Sequence, residues 1–176
     1  MTRDGSVKVH VIGIAGSGKT TLARWIGDTF AVVAHDLDFV VYDVEKGERP
    51  HDEIVARVDE IRSLPGWVTE GAYHDAWLRP LLDEADAIAW LDVPLRACLA
   101  RIVKRHVRAE LARTNVHRGW RRLASFLDYN RRTARRQRAE TVQLLADYAE
   151  KVVRCRSTGD VADFKKSLLK RTALAP

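Results

Sequence analysis

The feature that most constrains this chain is a glycine-rich run directly after its first apolar segment. Residues 13–20 read Gly-Ile-Ala-Gly-Ser-Gly-Lys-Thr and follow the apolar stretch 7–12. They fit the pattern G-x-x-x-x-G-K-[ST], which cradles phosphates when a strand precedes it and a helix follows. Glycines let successive backbone N–H groups turn toward an anion, and the following helix adds its positive N-terminal end. The run therefore predicts a nucleoside triphosphate site.

The residue types of this loop predict a task for each part. Lys19 supplies a positive charge for the β- and γ-phosphates, and the Thr20 hydroxyl is suited to ligate Mg²⁺. An empty glycine-rich turn is disfavoured because the whole pattern lies in register between a strand and a helix. The predicted nucleotide-binding residues are Gly13, Gly16, Ser17, Gly18, Lys19, Thr20 and Thr21.

Length and composition are those of one globular domain. The 176 residues suit a single core, so one domain spanning 1–176 is predicted. There is no apolar run of about eighteen residues, the minimum for a membrane span. The first six residues carry no signal-peptide pattern, and we expect a cytoplasmic protein. Cys98 and Cys155 lie far apart in apolar surroundings, which favours two reduced, buried thiols.

Apolar runs alternate with segments of helical period, a pattern typical of a parallel α/β sheet. The predicted strands are 7–12, 31–34, 67–69, 87–91 and 151–155. One predicted helix follows residue 18, and two more cover 52–64 and 77–82. A fourth begins with Pro94 at its first position, and a fifth covers 120–150 with an interruption near Asn130. The last helix begins with a cap at Asp160 and ends the chain. Leu95, Cys98, Leu99, Ile102 and Val103 are expected to be buried in the Pro94 helix, and 39–50 and 114–119 are predicted loops.

Acidic residues follow three of the predicted strands, where chemistry is placed in sheets of this kind. Asp36 and Asp38 come after the second strand, Glu70 after the third and Asp92 after the fourth. A carboxylate beside a triphosphate can hold Mg²⁺ through water or accept the proton of an attacking hydroxyl. Position favours a functional role for Asp38 and Glu70. Asp36 equally suits a turn cap, and Asp92 equally suits a helix cap.

Basic charge is concentrated in one segment. Residues 96–138 hold 14 Lys and Arg against two acids, a balance of +12, so the remaining residues carry −6. Two sets, Arg101/Arg105/Arg108 and Arg131/Arg135/Arg138, each follow helical spacing and flank the predicted loop at 114–119. An isolated arginine is usually a solvated surface charge, but the cluster favours a lid that closes over an anion.

Histidine and tryptophan add little functional signal. The six histidines show no ligand spacing, so a structural metal site is not expected. His10 is interpreted as a core histidine of the first strand. Most tryptophans are expected to pack in the core, and Trp77 and Trp120 are the two that could stack on a base.

Several further stretches resemble the small adenylate-kinase-like P-loop proteins of the topology-modulation group. The residues that carry this resemblance are 13–24, His-Asp-Leu-Asp (35–38), Trp-Val-Thr-Glu-Gly-Ala-Tyr (67–73), Ile-Ala-Trp-Leu-Asp-Val-Pro-Leu-Arg (88–96), Arg101, Arg105 and Asp-Tyr-Asn-Arg-Arg (128–132). They occur in the group's order across most of the chain.

The resemblance implies a three-layer α/β P-loop NTPase fold with a five-stranded parallel sheet of order 2-3-1-4-5. It implies ATP with Mg²⁺ as the phosphoryl donor. It also implies an arginine-rich helical lid between the Pro94 helix and the long helix that follows, approximately 105–130, to which Arg105 and the preceding Arg101 would belong. Asp38 and Glu70-Gly71 would face the acceptor, and the loop 156–159 would pass near the adenine. Adenylate kinases carry Asp-Gly-x-Pro-Arg where this chain has Glu-Gly-Ala-Tyr-His, so the acceptor is not expected to be AMP.

These observations favour an ATP-dependent phosphotransferase acting on a small hydroxyl- or phosphate-bearing acceptor, such as a nucleoside, a nucleotide or a related metabolite. Its predicted catalytic residues are Lys19, Asp38, Glu70, Arg101 and Arg105. Two alternatives remain open at this point. A nucleic-acid-binding regulatory NTPase would use the basic segment on phosphate backbone, and an ATP-binding protein without kinase activity would use the phosphate loop alone.

Overall fold

The computed structural model describes residues 7–112 and 120–174, with side chains described to residue 170. Its strands are β1 (Lys8–Ile12), β2 (Val33–Asp36), β3 (Tyr42–Asp43), β4 (Gly47–Glu48), β5 (Trp67–Gly71), β6 (Ala87–Leu91) and β7 (Val152–Cys155). Its α-helices are α1 (Lys19–Phe30), α2 (Asp38–Val41), α3 (His51–Arg62), α4 (Arg79–Glu84), α5 (Leu95–Leu111), α6 (Trp120–Leu145) and α7 (Thr158–Leu174). Short 3₁₀ turns, Ala76–Leu78 and Ala146–Tyr148, precede α4 and follow α6.

The main sheet has five parallel strands in the order β2-β5-β1-β6-β7. This numbering differs from the predicted 2-3-1-4-5 because β3 and β4, which form a separate antiparallel pair, add two strands between β2 and β5. When only the five strands of the main sheet are numbered along the chain, the observed order is also 2-3-1-4-5. The α/β class and the five-stranded parallel sheet are confirmed.

Helices cover both faces of this sheet, which explains why its central strands are continuous apolar runs. On one face α1 and α7 pack against β1 through residues such as Ile26, Phe30 and Phe164. On the other face α2, α3, α4 and the end of α6 surround Trp67 and Ile88. The strands β5 and β6 are buried throughout. Because the strands are parallel, their carboxyl ends meet at one edge of the sheet.

The segment after α1 departs from the sequence prediction. The strand predicted at 31–34 begins at Val33, because Ala31 ends α1 in the left-handed region with φ 55°. The predicted loop at 39–50 is wrong, because it holds α2 and the β3–β4 hairpin. Asp43 closes this hairpin by accepting hydrogen bonds from the backbone N–H groups of Glu45 and Lys46, and Gly47 takes a φ of 83°.

The two long helices also differ from their predictions. Pro94 lies one residue before α5 with extended backbone, so it caps the helix instead of occupying its first position. Of the five α5 residues expected to be buried, Cys98 and Ile102 are buried, and Leu95, Leu99 and Val103 are half-buried. α6 runs without interruption through Asn130, whose Nδ2 donates to the Phe126 carbonyl at 2.7 Å. The loop predicted at 114–119 lies outside the described residues.

The cap of α7 is Ser157 and not Asp160 as predicted, because the Ser157 Oγ accepts a hydrogen bond from the Asp160 N–H. Asp160 lies in the first turn and accepts hydrogen bonds from the backbone N–H groups of Arg156 and Ser157 in return. Cys98 and Cys155 are buried free thiols. Within the described part of the chain, no helix has the length and apolarity needed to cross a lipid bilayer.

His10 is a core residue of β1, as its sequence context predicts. It is fully buried, and its Nδ1 lies 2.9 Å from Thr69 Oγ1 on the neighbouring strand. Burial, followed by the nearby charges of Lys19 and His74, lowers the pKa of His10 from 6.5 to about 3. Between about pH 6.5 and pH 3 the imidazole is therefore neutral in the folded protein, whereas it becomes protonated in the unfolded chain.

This difference predicts a pH-dependent loss of stability. Below pH 6.5 the unfolded chain binds a proton at His10 that the folded protein refuses until about pH 3. The free energy of unfolding should then fall by about 1.4 kcal/mol per pH unit from this group alone. His10→Gln should remove that slope between pH 6 and 4, as measured by urea unfolding at each pH. Equal slopes in the two proteins would contradict the assignment.

Candidate functional site

The glycine-rich loop between β1 and α1 closes against two neighbouring backbones. A Cβ at Gly16 would lie 2.6 Å from the Cys98 carbonyl oxygen in α5, and one at Gly13 would lie 2.8 Å from the Leu91 carbonyl oxygen in β6. Gly16 and Gly18 also have φ values of 79° and 106°, which disfavour a side chain. The loop shape therefore depends on glycine at these positions for steric as well as conformational reasons.

Arg101 braces this loop from α5. Its Nη1 donates to the Ser17 carbonyl at 2.8 Å and approaches the Gly16 carbonyl at 3.4 Å. These contacts join two carbonyl groups of the loop to α5. Arg101, predicted as a catalytic residue, thus contacts the phosphate loop itself.

A cavity of about 500 Å³ opens beside the loop at the carboxyl ends of β1, β2 and β5. It brings together most of the predicted site residues: Gly16, Gly18, Lys19, Thr20, Thr21, Asp38, Glu70, Arg101 and Arg105, together with Asp36. Gly13 lies behind the loop against Leu91, and Ser17 lines a neighbouring cavity. The strand ends gather these side chains, as parallel-sheet topology requires.

Lys19 lies between the loop and the acidic residues. Its Nζ is 3.4 Å from the Ile14 carbonyl, and no ion pair with it is found among the described residues. Burial lowers the pKa of Lys19, whereas Glu70, Asp38 and Asp36 act in the opposite direction. An ammonium group without a paired carboxylate is available to a bound phosphate.

Glu70 lies inside β5 and not past its end, as the sequence had suggested. Only 4% of the residue is exposed, and its Oε1 has no hydrogen-bond partner. Burial raises the pKa of Glu70, against the opposing effects of a hydrogen bond with the Thr20 side chain and the charge of Lys19. This carboxylate is therefore coupled directly to the predicted metal ligand.

Asp36 and Asp38 form a tight turn at the end of β2. The Asp38 N–H donates to Asp36 Oδ1 at 2.9 Å, so Asp36 does cap a turn while it also lines the cavity. Burial raises the pKa of Asp36, and the hydrogen bond from the Asp38 backbone opposes that effect. The sequence had offered cap or site as alternatives for Asp36, and the geometry allows both.

Tyr73 is a contact that the sequence analysis missed. Its hydroxyl donates to Asp38 Oδ1 at 2.8 Å across the loop that follows β5. Burial, then the hydrogen bond and charge of Asp38, raise the pKa of Tyr73 well above its ordinary value, so the hydroxyl stays protonated. Tyr73 belongs to the stretch 67–73 that resembles the topology-modulation group, but its separation from Asp38 along the sequence does not indicate that the two side chains are in contact.

Asp92 does not cap α5 and does not line the main cavity. It accepts hydrogen bonds from Arg138 at 3.0 and 3.1 Å and from Arg154, and both guanidinium groups lie over the Trp90 ring. Burial raises the pKa of Asp92, but the two arginines more than offset it and hold the pKa below its usual range. Arg138 therefore fastens α6 to the sheet and is not available to a lid.

Neither of the two tryptophans that could stack on a base lines the main cavity. Trp77, a candidate for base stacking, is only 8% exposed and packs against Tyr73. Trp120 is exposed at the start of α6, with its ring 5.2 Å from that of His106. The wall of the cavity on α6 is formed by Phe126, Tyr129, Asn130 and Gln137. Tyr129 and Asn130 belong to the resembling stretch 128–132, whereas no sequence pattern had marked Phe126 and Gln137.

A second hollow of about 280 Å³ adjoins the other side of the phosphate loop. It lies between Arg101 and the loop that follows β7, where Arg156, Ser157 and Thr158 are found. Leu22, Val93 and Val161 supply apolar surface to it. A flat aromatic group attached to a phosphate chain would fit such a slot.

Comparisons with solved structures identify the architecture. A shikimate kinase from Acinetobacter baumannii, solved in complex with shikimate, superposes with a TM-score of 0.51 at 19% identity, covering 95% of this chain and 93% of that one. An uncharacterized protein from Eubacterium ventriosum gives a TM-score of 0.53 at 12% identity, covering 96% and 99%. The chain has the fold of a P-loop kinase. No protein-family model matches the sequence, and no curated protein matches it either.

The donor groups of the site fit a phosphate chain with a bound Mg²⁺. The unpartnered Glu70 Oε1 is a hard oxygen of the kind that Mg²⁺ prefers, and it lies beside the Thr20 hydroxyl. The Ser17 hydroxyl is likewise buried without a partner in the loop. Both are unsatisfied polar atoms of a kind that is costly to bury and rare in folded proteins.

The close approach at Gly16 predicts that Gly16→Ala disrupts the loop. The methyl group would collide with the Cys98 carbonyl and force a strained φ, so ATP affinity should fall by about tenfold or more. Fluorescence titration with a labelled ATP analogue would measure this. Gly47→Ala is the matched control, because Gly47 also has a positive φ of 83° but nothing within 4 Å of the added carbon. It should leave affinity unchanged, and equal losses in both variants would contradict the steric argument.

Proposed function

We propose that this protein is an ATP-dependent phosphotransferase that transfers the γ-phosphoryl group to a small hydroxyl-bearing acceptor. One observation carries the proposal: Lys19, Thr20, Glu70 and Asp38 line a single cavity beside the phosphate loop. The fold and the adenylate-kinase-like motifs agree with it, including the resemblance to the topology-modulation group. A shikimate kinase of similar fold was solved with a small molecule, shikimate.

The donor half of the reaction belongs to the loop and its neighbours. The N–H groups of residues 13–21 would hold the phosphate oxygens, and Lys19 would bridge the β- and γ-phosphates. Arg101 would keep the loop in its binding shape through the Ser17 carbonyl. The base would occupy the hollow between Arg101 and residues 156–158.

Three side chains are suited to hold Mg²⁺, which neutralises charge on the transferring phosphoryl group when bound. Thr20 would be the direct protein ligand. Glu70 would orient the Thr20 hydroxyl through their hydrogen bond, and Asp36 would act through water. A divalent cation there would also lower the raised pKa values of Glu70 and Asp36.

Asp38 is the proposed base for the acceptor hydroxyl. Tyr73 donates to Oδ1, which leaves Oδ2 to accept the acceptor's proton. The acceptor oxygen forms the new bond to the γ-phosphorus as the bond to the β-phosphate oxygen breaks, and ADP leaves. Arg105, which makes no hydrogen bond or ion pair with the described residues, is free to stabilise charge on the transferring group.

The exposed cationic face of α5 supports the nucleic-acid alternative. Arg101, Lys104, Arg105 and Arg108 line an open hollow of about 510 Å³. A polyanion bound there would show affinity that falls steeply with salt. The carboxylates beside Lys19 have no task in simple binding of this kind, so kinase chemistry is the better supported proposal.

Loss of the loop lysine tests the reaction class. Lys19→Ala should lower acceptor-dependent ADP formation by about 10²-fold or more, because the charge that bridges the phosphates is removed. The assay supplies ATP·Mg²⁺ with nucleosides, nucleoside monophosphates, small metabolites and 5′-hydroxyl oligonucleotides. Hydrolysis without acceptor is the blank. Transfer that survives the substitution would exclude the phosphate loop as the catalytic site.

Arg105 and Arg108 separate the two candidate functions. Arg105→Ala should lower kcat by about 10²-fold while changing the ATP Kd by less than about threefold, because its charge acts on the transition state. Arg108→Ala, on the same helical face but outside the main cavity, should leave kcat unchanged. Equal effects of the two substitutions on oligonucleotide affinity, with kcat unaffected by either, would favour the nucleic-acid function instead.

A further inference from the structure

At the acceptor end of the main cavity, the two opposing sides differ strongly in charge. Its floor consists of Asp36, Asp38 and Glu70, which we call the carboxylate floor. The facing wall on α6 is uncharged and offers Tyr129, Asn130 and Gln137. An acceptor enters between three acidic groups and a neutral wall.

Three cationic side chains of the segment 49–79 are held in ion pairs outside the main cavity. Arg49 lies within 2.9 Å of Asp43, Arg62 within 2.7 Å of both Asp59 and Glu84, and Arg79 within 3.1 Å of Asp147. Arg57 lines a separate groove on the outer edge of β2, beside Glu60. Among the described residues, none of these four lines the main cavity.

The three cations that do line the cavity belong to its donor end. Lys19 starts α1, Arg101 is bound to the loop carbonyls, and Arg105 lies one helical turn beyond Arg101. If ATP takes these charges and the Mg²⁺ that Thr20, Glu70 and Asp36 would hold, as the proposed function requires, the described lining retains no cation for a second anion. A phosphate or carboxylate on the acceptor would then meet Asp38, whose carboxylate is bonded to the neutral Tyr73 hydroxyl and has no ion pair among the described residues.

We infer that the acceptor is an alcohol without an anionic group, either uncharged or bearing an ammonium group. This inference rests on the proposed function and narrows its substrate class. Glu70 adds to the negative charge of this end, because its Oε1 is buried without a hydrogen-bond partner and the residue lines the cavity. The α6 wall supplies neutral hydrogen-bonding groups suited to hydroxyls, and Phe126 and Tyr129 offer ring surface for an apolar face.

Matched acceptors that differ in charge alone test this inference. Each set keeps the same hydroxyls and changes one group: glyceramide and 3-amino-1,2-propanediol are compared with glycerate, and glucuronamide with glucuronate. With ATP·Mg²⁺ as donor, ADP release and mass spectrometry of the product give kcat/KM for each compound. The uncharged or ammonium-bearing member should exceed its anionic partner by about tenfold or more, the size expected for one like-charge contact at a few ångströms.

A substitution on the neutral wall tests the same inference without depending on which acceptor compound the protein prefers. Gln137→Lys adds one positive charge facing the carboxylate floor, so it should shift the ratio within each pair toward the anionic member by about fivefold or more. Gln137→Met has similar length without charge and should leave that ratio as in the unmodified protein. A shift of the same size in both variants would overturn the electrostatic explanation.

The two proposals fail in different ways. If Lys19-dependent transfer occurs but the anionic members are the better acceptors, this inference is overturned and the proposed function stands. If Lys19→Ala binds and hydrolyses ATP as well as the unmodified protein does, the proposed function fails and the inference fails with it.

Discussion

The site depends on how closely the phosphate loop approaches two other backbones. Gly13 and Gly16 leave no room for a Cβ against the carbonyls of Leu91 and Cys98, and Arg101 ties the loop to α5 from the same side. The loop is thus held by the sheet and by the helix that follows β6, and not by its own hydrogen bonds alone. Its binding shape exists before any ligand arrives, which lowers the entropic cost of binding.

The two sides of the cavity are built from different kinds of support. The loop, the carboxylate floor and Lys19 belong to the sheet edge and to α1, where main-chain pairing and burial restrict movement. The opposite wall belongs to α6, which is fastened in its last third through Arg138 and Asp92. Under the proposed function, the donor groups belong to the stiffer part of the molecule and the acceptor contacts to a single helix.

Local patterns predicted much of this arrangement. The phosphate-loop motif and the apolar strands gave the fold class, and strand ends gave Asp38 and Glu70, because parallel topology gathers carboxyl ends. Contacts distant in sequence had no such signal: Tyr73 to Asp38 and Arg138 to Asp92 depend on packing that spacing does not encode. The break predicted near Asn130 failed for a related reason, since its amide bonds back to the preceding turn and leaves the helix intact.

Asp36 and Glu70 are register partners on adjacent strands, as Glu70 and Val11 are on the other side. Their separation is therefore a property of the sheet's hydrogen-bond ladder, which a substitution in a loop leaves unchanged. Tyr129 and Gln137, by contrast, project from an exposed helix face whose side chains can be exchanged without repacking the core. A lineage carrying this fold can thus change the side chains on one wall of the cavity by drift on one helix, while inheriting the phosphate loop and the strand-end carboxylates intact.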